Sequence, residues 1–364
     1  MTLLPYVRPC ALAALLLIAL PLLTAATVTL PAGPADEEYT LPLPVADNTT
    51  VDATHWVSNA VRPGAGLPKV AAEIGPKDSA PGVNHGTGVR NFVWVGGVVK
   101  GAFPRDWSWR RVHDAPQGGG GGVIIHNNGF AAWKFLRVHN VEDGVKPREA
   151  PEWSNGASWL VRDCYFTAIR DDSIENDRFE PGTVEDSLFD GVHTFMSEQK
   201  ESGFFKGGGH PLSIGPEEDR VIHVKRAYIR IYPTNAFDAK LDKFPGGGKW
   251  FKWAGDARAP NHSVVVEDSV LAVGTVPRLG WNNLRIPREV SFAGRGNFIL
   301  WLGQAGAYQG PKPAGVIFLE GQAASAKWIA VRNDWLVRHG LAAQDFPADY
   351  NPHAAPVAAV PLRD

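Results

Sequence analysis

Five segments of the chain repeat one six-residue pattern: 136-LRVHNV-141, 161-VRDCYF-166, 184-VEDSLF-189, 224-VKRAYI-229 and 266-VEDSVL-271. Each runs aliphatic, polar, variable, usually small, variable, large apolar. They start at residues 136, 161, 184, 224 and 266, at intervals of 25, 23, 40 and 42. A unit of 23 to 25 residues is too short for two strands and a crossover helix, which take roughly 30 or more. It suits one coil of a parallel β-solenoid. Such a coil has too little core of its own and is stable only when its strands hydrogen-bond to neighbouring coils and its inward side chains stack. The intervals of 40 and 42 residues read either as one coil with a long inserted loop or as two coils, one weakly marked. Cys164, Ser187, Ala227 and Ser269 form a column of small residues at a tight bend. His139 interrupts it, which implies a shifted register in the first segment.

Further strands are expected at 92–99, 122–126, 249–253, 290–294, 298–302 and 315–320. The segment 325–342 carries Trp328, Ile329, Trp335, Leu336 and His339 at helical spacing and is expected to cover the last coil. The organisation that follows is an N-terminal segment and cap over 27–88, an all-β solenoid over 89–322, a C-terminal capping helix over 323–346 and a loosely ordered tail over 347–364. The 39 Gly and 29 Pro suit many short strands joined by turns. Glycine runs at 118–122 and 246–248 read as mobile loops, and neither carries the Lys-Ser/Thr of a phosphate-binding loop.

Arg8, the apolar run 10-CALAALLLIALPLL-23 and the small residues 24-TAA-26 read as a signal peptide over 1–26, hence a secreted or periplasmic protein. The apolar run is short for a membrane span, and nothing later in the chain could span one, so no membrane partner is expected after cleavage. A net charge of −2 gives no basic footprint and disfavours nucleic acid. After cleavage Cys164 alone remains, so no intrachain disulfide forms, and its place in the small-residue column makes it structural rather than nucleophilic. The 13 Trp either fill core and loops or stack on sugar rings. Nothing in the sequence specifies an oligomeric state.

The coil pattern resembles the pectate-lyase-like superfamily of right-handed parallel β-helices over roughly residues 89 to 305, a fold that hosts several chemistries. A narrower likeness is to its pectin-hydrolase (polygalacturonase) branch. That branch has, in order, Asn-x-Asp-Gly, an Asp-Asp pair, Gly-His-Gly leading into Ser-Ile-Gly, and Arg-Ile-Lys. Here 140-NVEDGV-145, 171-DDSI-174, 208-GGHPLSIG-215 and 229-IRIY-232 follow in that order. The resemblance implies that Asp143 and Asp171 or Asp172 are catalytic carboxylates, that His210 supports them, and that Arg230 contacts an acidic sugar. Three departures stand: Asn140 and Asp143 are one residue further apart, Pro211 replaces the second Gly, and Tyr232 replaces the Lys.

The stretch 168-AIRDDSIENDRF-179 places Asp171, Asp172, Glu175 and Asp177 together, and three readings are open. Hydrolysis of a glycosidic bond needs two carboxyl groups, about 5 Å apart for retention and roughly 6.5–9.5 Å for inversion. Turn chemistry alone explains Asp172, because 143-DGV-145, 172-DSI-174 and 190-DGV-192 share a form that suits Asp in a turn. A bound Ca²⁺ would take its oxygens from Asp171, Glu175, Asn176 and Asp177. Lyase chemistry would instead need a base and a positive charge, with Lys252, Lys206, Arg230 and His193 as candidates and Ca²⁺ as an optional aid, whereas hydrolysis requires no cofactor. Arg170 and His193 occupy equivalent places after two repeats and are expected to neighbour one another. Lys252, between Phe251 and Trp253, faces opposite to the two rings. The reading favoured is an enzyme acting on an acidic polysaccharide, with Asp143, Asp171, Asp172, His193 and His210 catalytic and Arg170, Arg230, Lys252 and Trp253 binding substrate. Elimination is the alternative, and a carbohydrate-binding or structural solenoid is the non-enzymatic one.

Overall fold

The structure, a computed structural model, describes residues 25–41, 46–62, 70–74, 89–104, 107–113, 121–127, 129–149, 158–176, 180–198, 220–232, 248–253, 262–276, 280–303 and 306–350. Most of the expected signal peptide, His210, Asp177 and residues 351–364 lie outside these. Three all-parallel sheets of nine, ten and seven strands wind around one core as a right-handed parallel β-helix. Each middle coil contributes one strand to each sheet. Phe130–Lys134, Arg137–His139 and Asp143–Glu149 make one coil, and Ser158–Arg162, Tyr165–Thr167 and Asp172–Glu175 the next. Then come Gly182–Glu185, Leu188–Val192 and Thr194–Glu198, followed by Arg220–Lys225, Tyr228–Ile231 and Lys249–Trp253.

The repeat maps onto the core directly. Val161, Val184, Val224 and Val266 lie in register in the first sheet and are fully buried. Each such side chain contributes roughly 1.5–3 kcal/mol on leaving water. The rings of Phe166 and Phe189, the large apolar position, stack at 4.7 Å between centroids. Because Val184 pairs with Val224 and Val224 with Val266, the intervals of 40 and 42 residues are single coils with insertions.

The first repeat is shifted as His139 implied. Trp133 pairs with Val161 and Arg137 with Tyr165, so the unit is 133-WKFLRV-138 and Leu136 is the counterpart of Cys164. Between the first and second sheets the chain turns through a left-handed residue: Phe135, Asp163, Asp186, Arg226 and Asp268 all have φ between 40° and 57°. The residue after it is buried in the bend, small in four coils (Cys164, Ser187, Ala227 and Ser269) and Leu136 in the first. Ser187 Oγ accepts from Cys164 N and donates to Glu185 O, and Ser269 Oγ accepts from Ala227 N. Cys164 is buried, its thiol pushed up to about 12 by that burial. Thiol reagents are therefore expected to leave native Cys164 unmodified and to label it fully in denaturant; labelling of the folded chain at the rate of an open thiol would contradict this placement.

Several expectations are corrected. The strands Thr27–Thr29, Gly33–Ala35, Tyr39–Thr40, Thr50–Asp52, Trp56–Ser58 and Val70–Ile74 belong to the same three sheets, so the solenoid starts at Thr27 rather than at residue 89. They were unreadable as coils because their strands are short and their turns irregular. The run 118–122 is no simple loop: Gly121 and Gly122 open the strand Gly121–Asn127. A Cβ on Gly122 would sit 2.2 Å from Gly144 O, and one on Gly144 would sit 2.4 Å from Ser173 O, so these glycines permit close approach of successive coils.

The long helix, Gly321–Arg338, packs against the last strands, Phe298–Trp301 and Ile317–Glu320, as expected, and also reaches back over earlier coils. It lies along the outer face of the second sheet, packing Trp328, Trp335 and Leu336 on Tyr165, Leu188, Val270 and Leu300. Its C-terminal end is pinned to the left-handed turns: Trp335 Nε1 donates to Asp186 O at 2.8 Å, Arg338 grips both Asp186 carboxylate oxygens at 2.9 and 3.1 Å, and His339 Nε2 meets Asp163 Oδ1 at 3.2 Å. Around the last coil sit the rings of Trp281, Trp301, Tyr308 and Phe318, with successive contacts of 4.7 to 6.4 Å. Residues 347–350, expected to be loose, are held: Ala348 is buried, and Tyr350 stacks on Phe346 while its carbonyl accepts from Arg230. No helix among the described residues is long and apolar enough to cross a membrane.

Candidate active site

Titratable groups concentrate at the corner where the chain passes from the second sheet to the third. Three successive coils supply Glu142 and Asp143, then Arg170, Asp171 and Asp172, then His193 and Thr194. The next coil adds Lys249 and Lys252. The main-chain ladder fixes the stacking: Asp171 N donates to Glu142 O at 2.8 Å, His193 N to Ile169 O at 2.9 Å and Thr194 N to Asp171 O at 2.9 Å. His193 thus sits over Arg170, as expected. A short helix, Trp109–His113, lies against this corner. Trp107 O accepts from Arg170, the Trp109 ring faces His193 at 6.4 Å, and His113 Nδ1 reaches Glu142 Oε1 at 3.3 Å and Asp171 Oδ2 at 3.5 Å.

Lys252 Nζ bridges the two adjacent carboxylates, 3.2 Å from Asp171 Oδ1 and 2.8 Å from Asp172 Oδ2. Phe251 is buried in the core, so Lys252 points outward by strand alternation, over the acidic corner. Lys146 plays the same part for Asp143, at 2.8 Å, and for Glu175. Oxygens of Asp143, Asp171 and Asp172 all fall within 4.8 Å of one another. Asp171 and Asp172 are 4% and 3% exposed, while the Lys252 and His113 side chains above them are 20% and 45% exposed.

These environments split the carboxyl groups. Burial raises Asp171, but the Lys252 ammonium and the His113 N–H outweigh it and hold the group far below the ordinary carboxylate range. Asp172 goes the other way: burial and the neighbouring Asp171 charge push it to about 7 against the pull of Lys252. Burial likewise lifts Asp143 well above its usual value, with Lys146 opposing. Lys252 is held protonated by its two partners although burial works against its charge. His113 is raised to about 10 by its carboxylate contacts. His193, fully enclosed, drops to about 4 through burial and through the Lys252 and Arg170 charges, which outweigh Asp171.

The structure therefore unites Asp143, Asp171, Asp172, His193, Arg170 and Lys252. It separates others. Arg230 is wholly buried on the outer face of the second sheet, where its Nε bonds Asp190 Oδ1 and its Nη1 the carbonyl of Tyr350, and it braces the C-terminal segment. Asp190 lies in the second sheet, so 190-DGV-192 does not repeat 143-DGV-145. Arg170 is also buried and braces Trp107, which makes it a strut beneath the corner rather than a ligand contact. Of the residues named for a cation, Glu175 is engaged by Lys146, Asn176 bonds Glu180 and Glu198, and Lys252 stands beside Asp171, while Asp177 lies outside the described residues. Nothing is described of the Trp253 side chain. The sequence missed Glu142, Lys146 and His113. Glu142 and Lys146 flank Asp143 within one acid-base cluster, a signal that correct registration of the first repeat would have exposed, whereas His113 arrives from an insertion whose docking no local pattern reveals. Compared with family models, curated proteins and solved structures, the chain matches none.

Proposed function

We propose that the protein cleaves an acidic polysaccharide by glycoside hydrolysis at the Asp171–Asp172 corner. The observation that carries this reading is that two adjacent carboxylates share one ammonium, Lys252, while their surroundings set one ionised and one protonated near neutral pH. That is the division of labour a glycosidase requires. Asp172 donates its proton to the leaving oxygen, and Asp171 attacks or screens the anomeric carbon. Oxygens no more than 4.8 Å apart leave little room for an intervening water, which matches retention at about 5 Å rather than inversion. Lys252 keeps Asp171 charged, and Lys249, His113 and Lys252 present positive charge at the mouth for a uronate carboxylate. Substrate reaches the acids by displacing the partly exposed Lys252 and His113 side chains.

The pH dependence follows with a definite sign. The acid must be protonated, so kcat/KM is expected to fall about tenfold per unit once pH exceeds about 7. A flat profile up to pH 9 would count against Asp172 as the acid.

Elimination remains the second reading because of one observation: His193 is pushed down to about 4 and is a neutral base at pH 7, beside Arg170. Lys252, by contrast, is held protonated and is a poor base. The two readings part on products, since elimination leaves an unsaturated, ultraviolet-absorbing uronate and hydrolysis leaves only a new reducing end. The anomer first released, followed by NMR, tests retention.

A further inference from the structure

The long helix covers only part of the second sheet's outer face. Tyr165, Leu188, Tyr228, Val270 and Phe298, which it packs, continue in register into Arg137, Val98 and Val57, where no helix lies among the described residues. There a groove of about 730 Å³ opens, lined among others by Phe135, Arg137, His55, Val57 and Val98 with Trp56 in its floor. Gly33, Gly96 and Gly97 keep its wall low.

Phe135 is the anomaly of this groove. It is 52% exposed and stands in the left-handed region at φ 57°, where its stacked counterparts are Gly96, Asp163, Asp186, Arg226 and Asp268. A bulky side chain there is strained and finds no compensation in burial. Arg137 beside it is half-buried and, among the described residues, pairs with no carboxylate. His55 is exposed at the rim. An open aromatic face, a guanidinium with no carboxylate partner among the described residues and an imidazole in one concavity complement a sugar ring carrying a carboxylate: the ring stacks on the aromatic and the anion meets the cation.

We propose that this groove is a second saccharide site, separate from the acidic corner, that holds a uronate-containing stretch of polymer by stacking on Phe135 and pairing with Arg137. The class of ligand rests on the reading of the corner, but the site does not depend on what chemistry occurs there. It would tether polymer to the solenoid.

Native gels cast with pectate, alginate or a glucuronate polymer, and with neutral glucan as control, test this with the full chain. The wild type is expected to be retarded by at least one acidic polymer and not by glucan. F135G and R137Q are expected to weaken that retardation at least fivefold, while D172N retains it. F135G also separates binding from packing, because glycine relieves the left-handed strain: its Tm is expected to equal or exceed that of the wild type, whereas a purely structural Phe135 would lower it. Retardation unchanged in F135G, or absent from the wild type with every acidic polymer, overturns the site. A dimer in sedimentation that F135G dissolves also overturns it, since the occupant would then be a second copy. Loss of retardation in F135G with cleavage unaffected by D172N would leave this site standing and remove the reading of the corner.

Discussion

Asp172→Asn is expected to lower polysaccharide cleavage by roughly 10²- to 10⁴-fold, the contribution of a positioned general acid, with no loss of folding stability. The reason for the second half is that Asp172, at about 7, is already about half protonated at neutral pH, and an amide replaces a neutral carboxyl closely in shape. Asp171→Asn differs. It removes the charge that Lys252 and His113 face, so activity and stability fall together. The linkage for Asp172 has the sign of a raised group: its folded-state pKa lies above the ordinary 3.8, so the stability it contributes is full below about 4 and is lost as pH rises toward about 7. Denaturation midpoints across that range should fall less steeply with pH in Asp172→Asn than in the wild type. Parallel slopes in the two proteins would mean that Asp172 is an ordinary carboxylate and not the acid.

Arg230→Met carries the second large effect, and it falls on stability. Asp190 would be left buried without its partner, which costs about 3–5 kcal/mol when one member of a buried pair is removed. The loss would appear in urea unfolding. The C-terminal segment, tied through the Tyr350 carbonyl to Arg230, would loosen first. Cleavage per folded molecule would persist, because Arg230 lies under that segment and away from the acidic corner. Replacing Asp190 by Leu in the same chain should recover part of the loss, since an apolar pair of similar volume lacks the desolvation cost of the ions. A single variant of full stability but impaired substrate binding would restore the substrate-contact role that the resemblance implied.

The contrast between these two residues shows what a single chain reveals about itself. Parallel coils write their register into the sequence, because every inward column must be apolar and every bend must fit. Val161, Val184, Val224 and Val266 were readable for that reason, and so was the stacking of Arg170 and His193. The first repeat misled by three residues because Leu136 and Trp133 are both large and apolar, and the turn residue Phe135 has the wrong chemistry for its backbone. That same misfit later marks the groove. The direction of the long helix was invisible to periodicity, which tells that one face is apolar but not which surface receives it; the receiving surface is the outward row from Tyr165 to Phe298. The motif could not place Arg230, because it specifies order along the chain, whereas the face of the solenoid that Arg230 occupies and the segment folded over it follow from the coil register.

The central claim is that the corner is an acid–base site for hydrolysis. The most direct test incubates the wild type and Asp172→Asn with a panel of uronate polysaccharides, recording new reducing ends and ultraviolet absorbance of unsaturated product together. The account predicts new reducing ends without absorbance from the wild type on at least one polymer, and their near disappearance in Asp172→Asn at a Tm no lower than that of the wild type. Equal release by the two proteins, release accompanied by stoichiometric absorbance, or no release from any uronate polymer would contradict it.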